Sequence, residues 1–568
     1  MLMANREKKH LTWRDSLNGF GSSSGMCPAA RALDFLQLSV SSFVVFCFLL
    51  SLNGCTAVGP DFVKPAAPVA KGWIEEGHSK VKTDGTNYSD WWTVFNDPVL
   101  NTLIETAMRQ NLSLQAAGIR ILQARARLGI AVGDQYPQMQ ELKGGYSFDR
   151  TSKNAANTAG GGDLKNQSVN YGFNTAWELD FWGKYRRGVE SADASLTASV
   201  ADYDNALVSL LGTVATTYIQ IRTYQERLDV ARENLQIQEQ ALKLAESRYR
   251  NGAVTELDVQ QARSLLYDTE SAIPSLEIFL RQAEDALCIL LGMPPRNLGE
   301  VLGQTGRIPE SPAEVAVGIP AELLRRRPDI RSAELLAAAQ CAQIGIAKAD
   351  LFPRISLNGS FGFLASDSLL THTGGSSLSD LFNWQSFTMS AGPSIEWPVL
   401  NYGRITNNVR LQDARFQETL INYRNTVLTA AKEVEDAMVG FLRSQDQVQS
   451  LDSSVRAAKR AADLSLLQYR EGATDYTPVL DSERMLMQQQ EKLTQSRGAV
   501  PTYLVALYKA LGGGWQVRAG IELVSRENLD AMRKRTDWGD LLPPASLPED
   551  LSPPPPADVH RLPRKPDW

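Results

Sequence analysis

Tyr249-Arg250-Asn251-Gly252-Ala253 and Tyr469-Arg470-Glu471-Gly472-Ala473 stand 220 residues apart, and each interrupts a very long helical pattern. Before the first, apolar residues recur at Leu228, Ala231, Leu235, Leu242, Ala245 and Tyr249, with Gln238 in one slot. The spacing alternates three and four, a heptad seam. The helical period holds from Gly183 to Tyr249. At 1.5 Å per residue such a helix spans about 100 Å, too long for a compact domain. After Gly252 the seam resumes through Leu266, Thr269, Ile273, Leu276, Leu280, Ala283 and Leu287, with a kink expected at Pro274. The two stretches therefore read as the tips of two long helical hairpins.

Everything around the first tip recurs around the second. Gly129-Ile130-Ala131, Asp134 and Tyr136-Pro137 return 216 positions later as Gly345-Ile346-Ala347, Asp350 and Phe352-Pro353. From Gly183 and Gly403 through Tyr203 and Tyr423 to Leu291-Gly292 and Leu511-Gly512 the shift is 220. The second seam runs through Val448, Leu451, Val455, Ala458, Ala462, Ser465 and Tyr469. An internal repeat of this kind has to be read before any single element.

Between the first helix of each copy and its long hairpin lies a strand pattern, about 141–180 and 354–399. Leu142, Gly144, Tyr146 and Phe148 alternate with polar residues, and Val169, Tyr171, Phe173, Thr175, Trp177 and Leu179 do the same. In the second copy the faces are Ile355, Leu357, Phe361 and Phe363, then Phe387, Met389, Ala391, Ile395 and Trp397. A half-buried soluble hairpin alternates in this way; so does a membrane barrel strand, apolar outward and polar inward. The leader favours the barrel. Four strands cannot close one, and open sheet edges are not tolerated in lipid, so two, three or four copies must share a barrel.

Residues 1–54 read as a secretory leader, with an apolar run from Phe35 to Leu52 before Leu52-Asn53-Gly54-Cys55. That ending resembles a lipobox, which makes Cys55 the acylated mature N-terminus. Residues 55–100 form an irregular, Pro-rich arm; 101–300 and 301–515 are the two repeats; 516–568 are a second irregular segment and a Pro-rich tail from Pro543. Cys288 and Cys341 read as unpaired core residues.

Composition excludes other classes. The chain has 568 residues and a net charge of -6, with scattered Lys and Arg, so no nucleic-acid partner is indicated. His10, His78, His372 and His560 are too dispersed for a metal site. Gly21-Ser22-Ser23-Ser24-Gly25 matches a nucleophile-elbow pattern but lies in the leader. No phosphate-binding loop occurs, so no enzyme and no cofactor is expected, and energy must come from a partner.

Three stretches resemble the outer membrane factor family of TolC-like channel-tunnels, in its NodT-type lipoprotein branch: Cys55-Thr-Ala-Val-Gly59-Pro60-Asp61-Phe62, Leu323-Leu-Arg325-Arg326-Arg327-Pro328-Asp329-Ile330-Arg331, and the run to Phe352-Pro353. The resemblance covers residues 55–515. It implies an α+β channel-tunnel: a homotrimer with a twelve-stranded outer-membrane β-barrel, four strands per chain, continued by a long periplasmic α-helical barrel. It implies a periplasmic adaptor and an inner-membrane pump of the resistance-nodulation-division type as partners, with outer-membrane lipid around the strands. It also implies that the tips close the tunnel and meet the adaptor through Tyr249, Gly252, Tyr469 and Gly472. The gate positions carried over are Asp481 and Arg484, flanked by Tyr476 and Thr477. Asp481 and Arg484 lie three apart, hence on one helical face, and Arg484 is expected to pair with an Asp481 of its own or a neighbouring chain. The plainer reading is a solvated ion pair of a few tenths of a kcal/mol. Gln261 and Ser264 stand at the matching places of the first repeat, so the tips should be unequal. For Arg325 to Asp329 a helix start is preferred to a substrate site. The expected function is a passive exit duct for small toxic compounds; the alternatives are a type I protein-secretion duct and a non-channel structural envelope lipoprotein.

Overall fold

The computed structural model describes residues 57–82, 88–152, 154, 165–303, 306–368, 377–520 and 522–542. Cys55, the leader, Gly160-Gly161-Gly162 and the tail from Pro543 lie outside the described residues.

The first copy comprises α1 (Pro98–Gln110), α2 (Leu112–Gly133), β1 (Met139–Arg150), β2 (Lys165–Glu178), α3 (Lys184–Arg250) and α4 (Glu256–Leu290). The second comprises α5 (Pro328–Ala349), β3 (Arg354–Ser368), β4 (Phe387–Glu396), α6 (Arg404–Glu471) and α7 (Thr477–Ala510). A last helix, α8 (Arg526–Arg535), stands in the segment read from sequence as irregular. The long helices α3 and α6 have 67 and 68 residues. At 1.5 Å per residue each is about 100 Å long. The helix α4 continues through Pro274.

Two short helices stack end to end along each long one, and the repeat makes the junction twice. Asn111 caps the start of α2, accepting from Leu114 N–H, while its Nδ2 donates to the carbonyl of Leu290 at the end of α4, 2.9 Å away. Arg327 stands 216 residues later at the start of α5, where its Nη1 donates to the carbonyl of Ala510 at the end of α7, also at 2.9 Å. Ala510 follows Leu290 by 220, so each side of the junction keeps its own repeat offset. An orphan carbonyl at a helix end is satisfied by a helix-start side chain in both copies. This junction separates α1 from α2, and α1 begins at Pro98 because the Asp97 carboxylate accepts from Val99 and Leu100 N–H.

The four long strands form one antiparallel sheet in the order β1-β2-β3-β4, and among the described residues its outer edges pair with no other strand. The register sorts the side chains into two faces. Leu142, Phe173, Phe361 and Met389 lie in one row; Ile355 and Ile395, and Trp177, Leu357 and Pro393, lie in others on that face. On the opposite face the rows read Glu141, Asn174, Ser360 and Ser390, and Ser147, Ser168 and Ser366. The apolar face is exposed, with Leu142 at 63% and Met389 at 70%. A sheet with its apolar side bare and its polar side continuous has the pattern of a lipid-facing barrel wall.

The core sits midway along the helices. Trp91 stacks on Tyr508 with ring centroids 5.6 Å apart, beside Tyr88, Leu211, Tyr218, Leu287, Phe441 and Leu507. The N-terminal arm runs from the sheet end to this collar. Val58 N–H donates to Trp182 O at 3.0 Å, buried Arg187 pairs with Asp61 at 2.7 Å, and Trp73 Nε1 donates to Gly318 O at 2.9 Å. The repeated glycine explains one crossing: a Cβ on Gly345 would meet Val58 O at 2.8 Å, whereas one on Gly129 meets nothing. Cys288 and Cys341 are buried free thiols. No helix among the described residues is long and apolar enough to cross a membrane.

Candidate functional site

The two tips close by the same backbone device. Ala253 N–H bonds to Arg248 O and Ala473 N–H to Gln468 O, both at 2.9 Å, around Gly252 at φ 71° and Gly472 at φ 79°. Only glycine adopts this left-handed conformation without strain, which fixes the glycines at the turns.

The side chains then break the symmetry. Tyr249 is 45% exposed, but its counterpart Tyr469 is fully buried. Tyr469 packs edge-on against Tyr476, centroids 5.3 Å apart, in a cluster with Ala241 and Ala245 of α3 and Val259, Ala262 and Leu265 of α4. The Arg248 guanidinium lies over the Tyr469 ring at 5.0 Å, and its Nη1 donates to Tyr469 O at 2.5 Å and Arg470 O at 2.7 Å. Those carbonyls end α6, where a helix carries its partial negative charge, so a cation is favoured there. Arg248 thus ties the first hairpin to the tip of the second. Its counterpart Gln468 is exposed. Sequence reasoning missed Arg248, because its partners lie 221 and 222 residues away.

Of the residues expected at the gate, Tyr476 is buried in this cluster at the start of α7, while Thr477, Asp481 and Arg484 are exposed. Asp481 and Arg484 face a groove of about 850 Å³ between α3, α4 and α7, shared with Arg227, Asp268 and Phe279. Among the described residues neither forms an ion pair, so the intrachain pairing considered from sequence is not made. Between them on α7, Glu483 turns the other way and is buried. No group of three metal-ligating side chains occurs among the described residues.

The Arg327 motif is a clamp. Arg327 makes a two-point contact with Asp329, Nε to Oδ1 at 3.0 Å and Nη2 to Oδ2 at 2.6 Å, and its Nη1 reaches Glu433 of α6 at 2.7 Å. It joins α5, α6 and α7 at the collar, and Pro328 and Asp329 open α5 as the helix-start reading expected.

A family profile described as "Outer membrane efflux protein" matches residues 103–293 and 319–513. Among curated proteins, the chain is 32% identical over 482 residues to "Nodulation protein T" of Rhizobium leguminosarum bv. trifolii, covering 84% of this chain and 98% of that one. It is 33% identical to "Pyoverdine export outer membrane protein OpmQ" of Pseudomonas putida, covering 82% and 96%. Among solved structures, the outer-membrane channel OprN superposes with a TM-score of 0.74 at 32% identity, over 81% of this chain and 99% of that one.

Proposed function

The chain belongs to the outer membrane efflux protein family, and from that premise we propose that three copies assemble into one passive exit duct gated at the second tip. The protein is the outer-membrane channel of a tripartite efflux system, extending into the periplasm. The observation that carries the proposal is the open four-stranded sheet with one continuous apolar face, joined to helices of 67 and 68 residues. Its free edges need strands from other copies, since exposed edges are not tolerated in lipid. Three copies supply about twelve strands, above the eight of the smallest single-chain barrels. The helices below them line a tunnel.

Asp481 and Arg484 narrow that tunnel, with Thr477 beside them and Tyr476 bracing the hairpin from behind. Three-fold repetition turns each side chain into a ring, and a carboxylate ring in a narrow pore favours cations and repels itself unless countercharged. Arg484 of a neighbouring copy supplies that countercharge. The exposed Tyr249, Gly252 and Gly472 meet the periplasmic adaptor, with Tyr469 supporting the second tip. A pump of the resistance-nodulation-division type loads the duct with small toxic compounds, and acylated Cys55 tethers the arm to the outer membrane.

Reconstitution in planar bilayers tests the reading. A low resting conductance is expected, raised by Asp481→Ala and by Arg484→Ala. Unchanged conductance in both variants would remove the gate. Absence of any conductance, in wild type and variants alike, would sink the duct itself. Native mass spectrometry should find trimers with diacylglycerol and a further acyl chain on Cys55.

A further inference from the structure

The face of α7 that packs against the other helices runs Tyr476, Leu480, Glu483, Met487, Gln490, with spacings of four, three, four and three. Glu483 therefore occupies a seam position, where a heptad wants an apolar side chain. It is only 3% exposed, and its Oε2 has no hydrogen-bond partner. One heptad further on, the polar layer is satisfied: Asn234 Nδ2 donates to Gln490 Oε1 at 2.9 Å. Closer to Glu483, Gln238 spends its Nε2 on Met487 Sδ at 3.0 Å, and its own Oε1 is buried without a partner. This stretch of the seam thus holds two buried acceptors without donors, and a protonated carboxyl carries the O–H that is missing.

Among the described residues no cation compensates the carboxylate. The charged group that α6 contributes is Asp463, of like sign, and α7 itself contributes the phenol of Tyr476. The helices α3 and α4 bring neutral Gln238, Ala241, Leu265 and Thr269 to this part of the seam. Nearby basic groups are committed elsewhere: Arg248 to the α6 carbonyls, Arg263 to Glu246 and Arg227 to Glu491. Lys243, Lys459, Arg460 and Arg484 are exposed. Burial, and then Asp463, push the Glu483 carboxyl above the usual carboxylate range. A buried charge without a partner is costly, and the group avoids that cost by staying neutral.

We propose that Glu483 is a protonation switch for the second tip: neutral while α7 is packed in its seam, and ionised, with its proton passed to periplasmic water, when the α6–α7 hairpin swings out. The inference rests on the reading of that hairpin as the moving half of the gate. It makes the resting closure of the duct depend on proton concentration, through a residue behind the pore lining.

Single-channel conductance of the full-length protein in planar bilayers, from about pH 5 to about pH 8, tests it with two variants. Wild-type conductance should rise at least about threefold toward the alkaline end, as the seam carboxyl ionises. Glu483→Gln, neutral at every pH, should stay at the low acid value throughout. Asp481→Ala should conduct more at every pH yet keep the rise. A wild type without the rise, or a Glu483→Gln channel that rises as wild type does, overturns the switch. An Asp481→Ala channel identical to wild type removes the ring gate instead. Thermal unfolding gives a second readout: Glu483→Gln should melt above wild type at about pH 8 and with it at about pH 5. Equal or lower melting at the alkaline end also overturns the proposal.

Discussion

At the residue scale, two of the buried cations at the collar, Arg327 and Arg518, are paired with carboxylates. Arg327 is 8% exposed and serves Asp329, Glu433 and the Ala510 carbonyl together. Arg327→Ala leaves that buried carbonyl without its donor and strips Asp329 of its two-point contact, leaving it the Ile330 N–H, and should cost about 1–3 kcal/mol. Glu433→Gln should cost under about 1 kcal/mol, because Glu433 is half exposed and solvent replaces the contact. Unfolding in detergent followed by circular dichroism measures both, and near-wild-type melting of Arg327→Ala would show that the clamp contributes little. Arg518 and Asp204 form the other pair, each 3% exposed, with Arg518 Nη1 donating to both carboxylate oxygens at 2.6 Å. Burial pushes the Asp204 carboxyl up to about 7 against the pull of Arg518. Arg518→Ala removes that pull, so the folded-state pKa rises further above the unfolded value. Both proteins bind more protons folded than unfolded above about pH 4, but the wild-type loss of stability levels off above about pH 7 while that of the variant continues. The melting deficit of Arg518→Ala should therefore be largest at about pH 8 and shrink toward about pH 5; a deficit independent of pH would mean that Asp204 is not the group exposed by the loss.

At the element scale, the two hairpins share a backbone and differ in their side chains. Arg248→Ala removes the cation that holds the last carbonyls of α6, and conductance should rise, while the matching Gln468→Ala should change nothing. Equal effects would deny that the hairpins are tied through Arg248. Gly472→Ala tests the same tie from the other side. Its φ of 79° costs a side chain about 1–2 kcal/mol, and the new Cβ would lie 3.3 Å from Arg248 Nη2. How far such features are legible in sequence depends on how local their cause is. The strand faces follow from alternation within each strand, and the tips from a glycine inside a seam, so both could be read directly. The break at Asn111 shows in sequence only as a capping asparagine, since the partner that completes it, the Leu290 carbonyl, lies 179 residues away. The start of α1 hid among the prolines and tryptophans of the arm, although Asp97-Pro98 carries the local signal of a capped start. The helix α8 hid because six of its ten residues are charged, leaving Met532 as its buried contact. Asp481 and Arg484 stand out in sequence through the family resemblance alone, and their spacing then puts them on one face of α7. Glu483, between them, reads in sequence as one more surface charge, and only the packing of α7 against α3 and α6 turns it inward.

At the scale of the whole molecule, the sheet decides whether one chain is a protein or a third of one. Its apolar rows lie bare in a single copy, and its β1 and β4 edges are open. Both defects vanish if the edges meet strands of other copies and the bare face meets hydrocarbon. The two faces should then respond oppositely to the same substitution. Phe361 sits in the row Leu142, Phe173, Phe361, Met389, and Ser360 in the row Glu141, Asn174, Ser360, Ser390. These neighbours differ by one position in sequence and by a whole solvent in environment. Phe361→Arg places a charge in the lipid band, at about 2–4 kcal/mol per copy near the midplane. Because the copies share one barrel, the cost is incurred by all of them at once, and heat-resistant oligomer in the outer-membrane fraction should fall steeply. Ser360→Arg places the same charge on the water-filled side, so oligomer should persist while ion selectivity shifts toward anions. Oligomer yield on unheated gels and reversal potentials in bilayers read the two effects separately. If both variants assemble equally well, the apolar face does not meet lipid, and the sheet belongs to a soluble assembly rather than to a barrel.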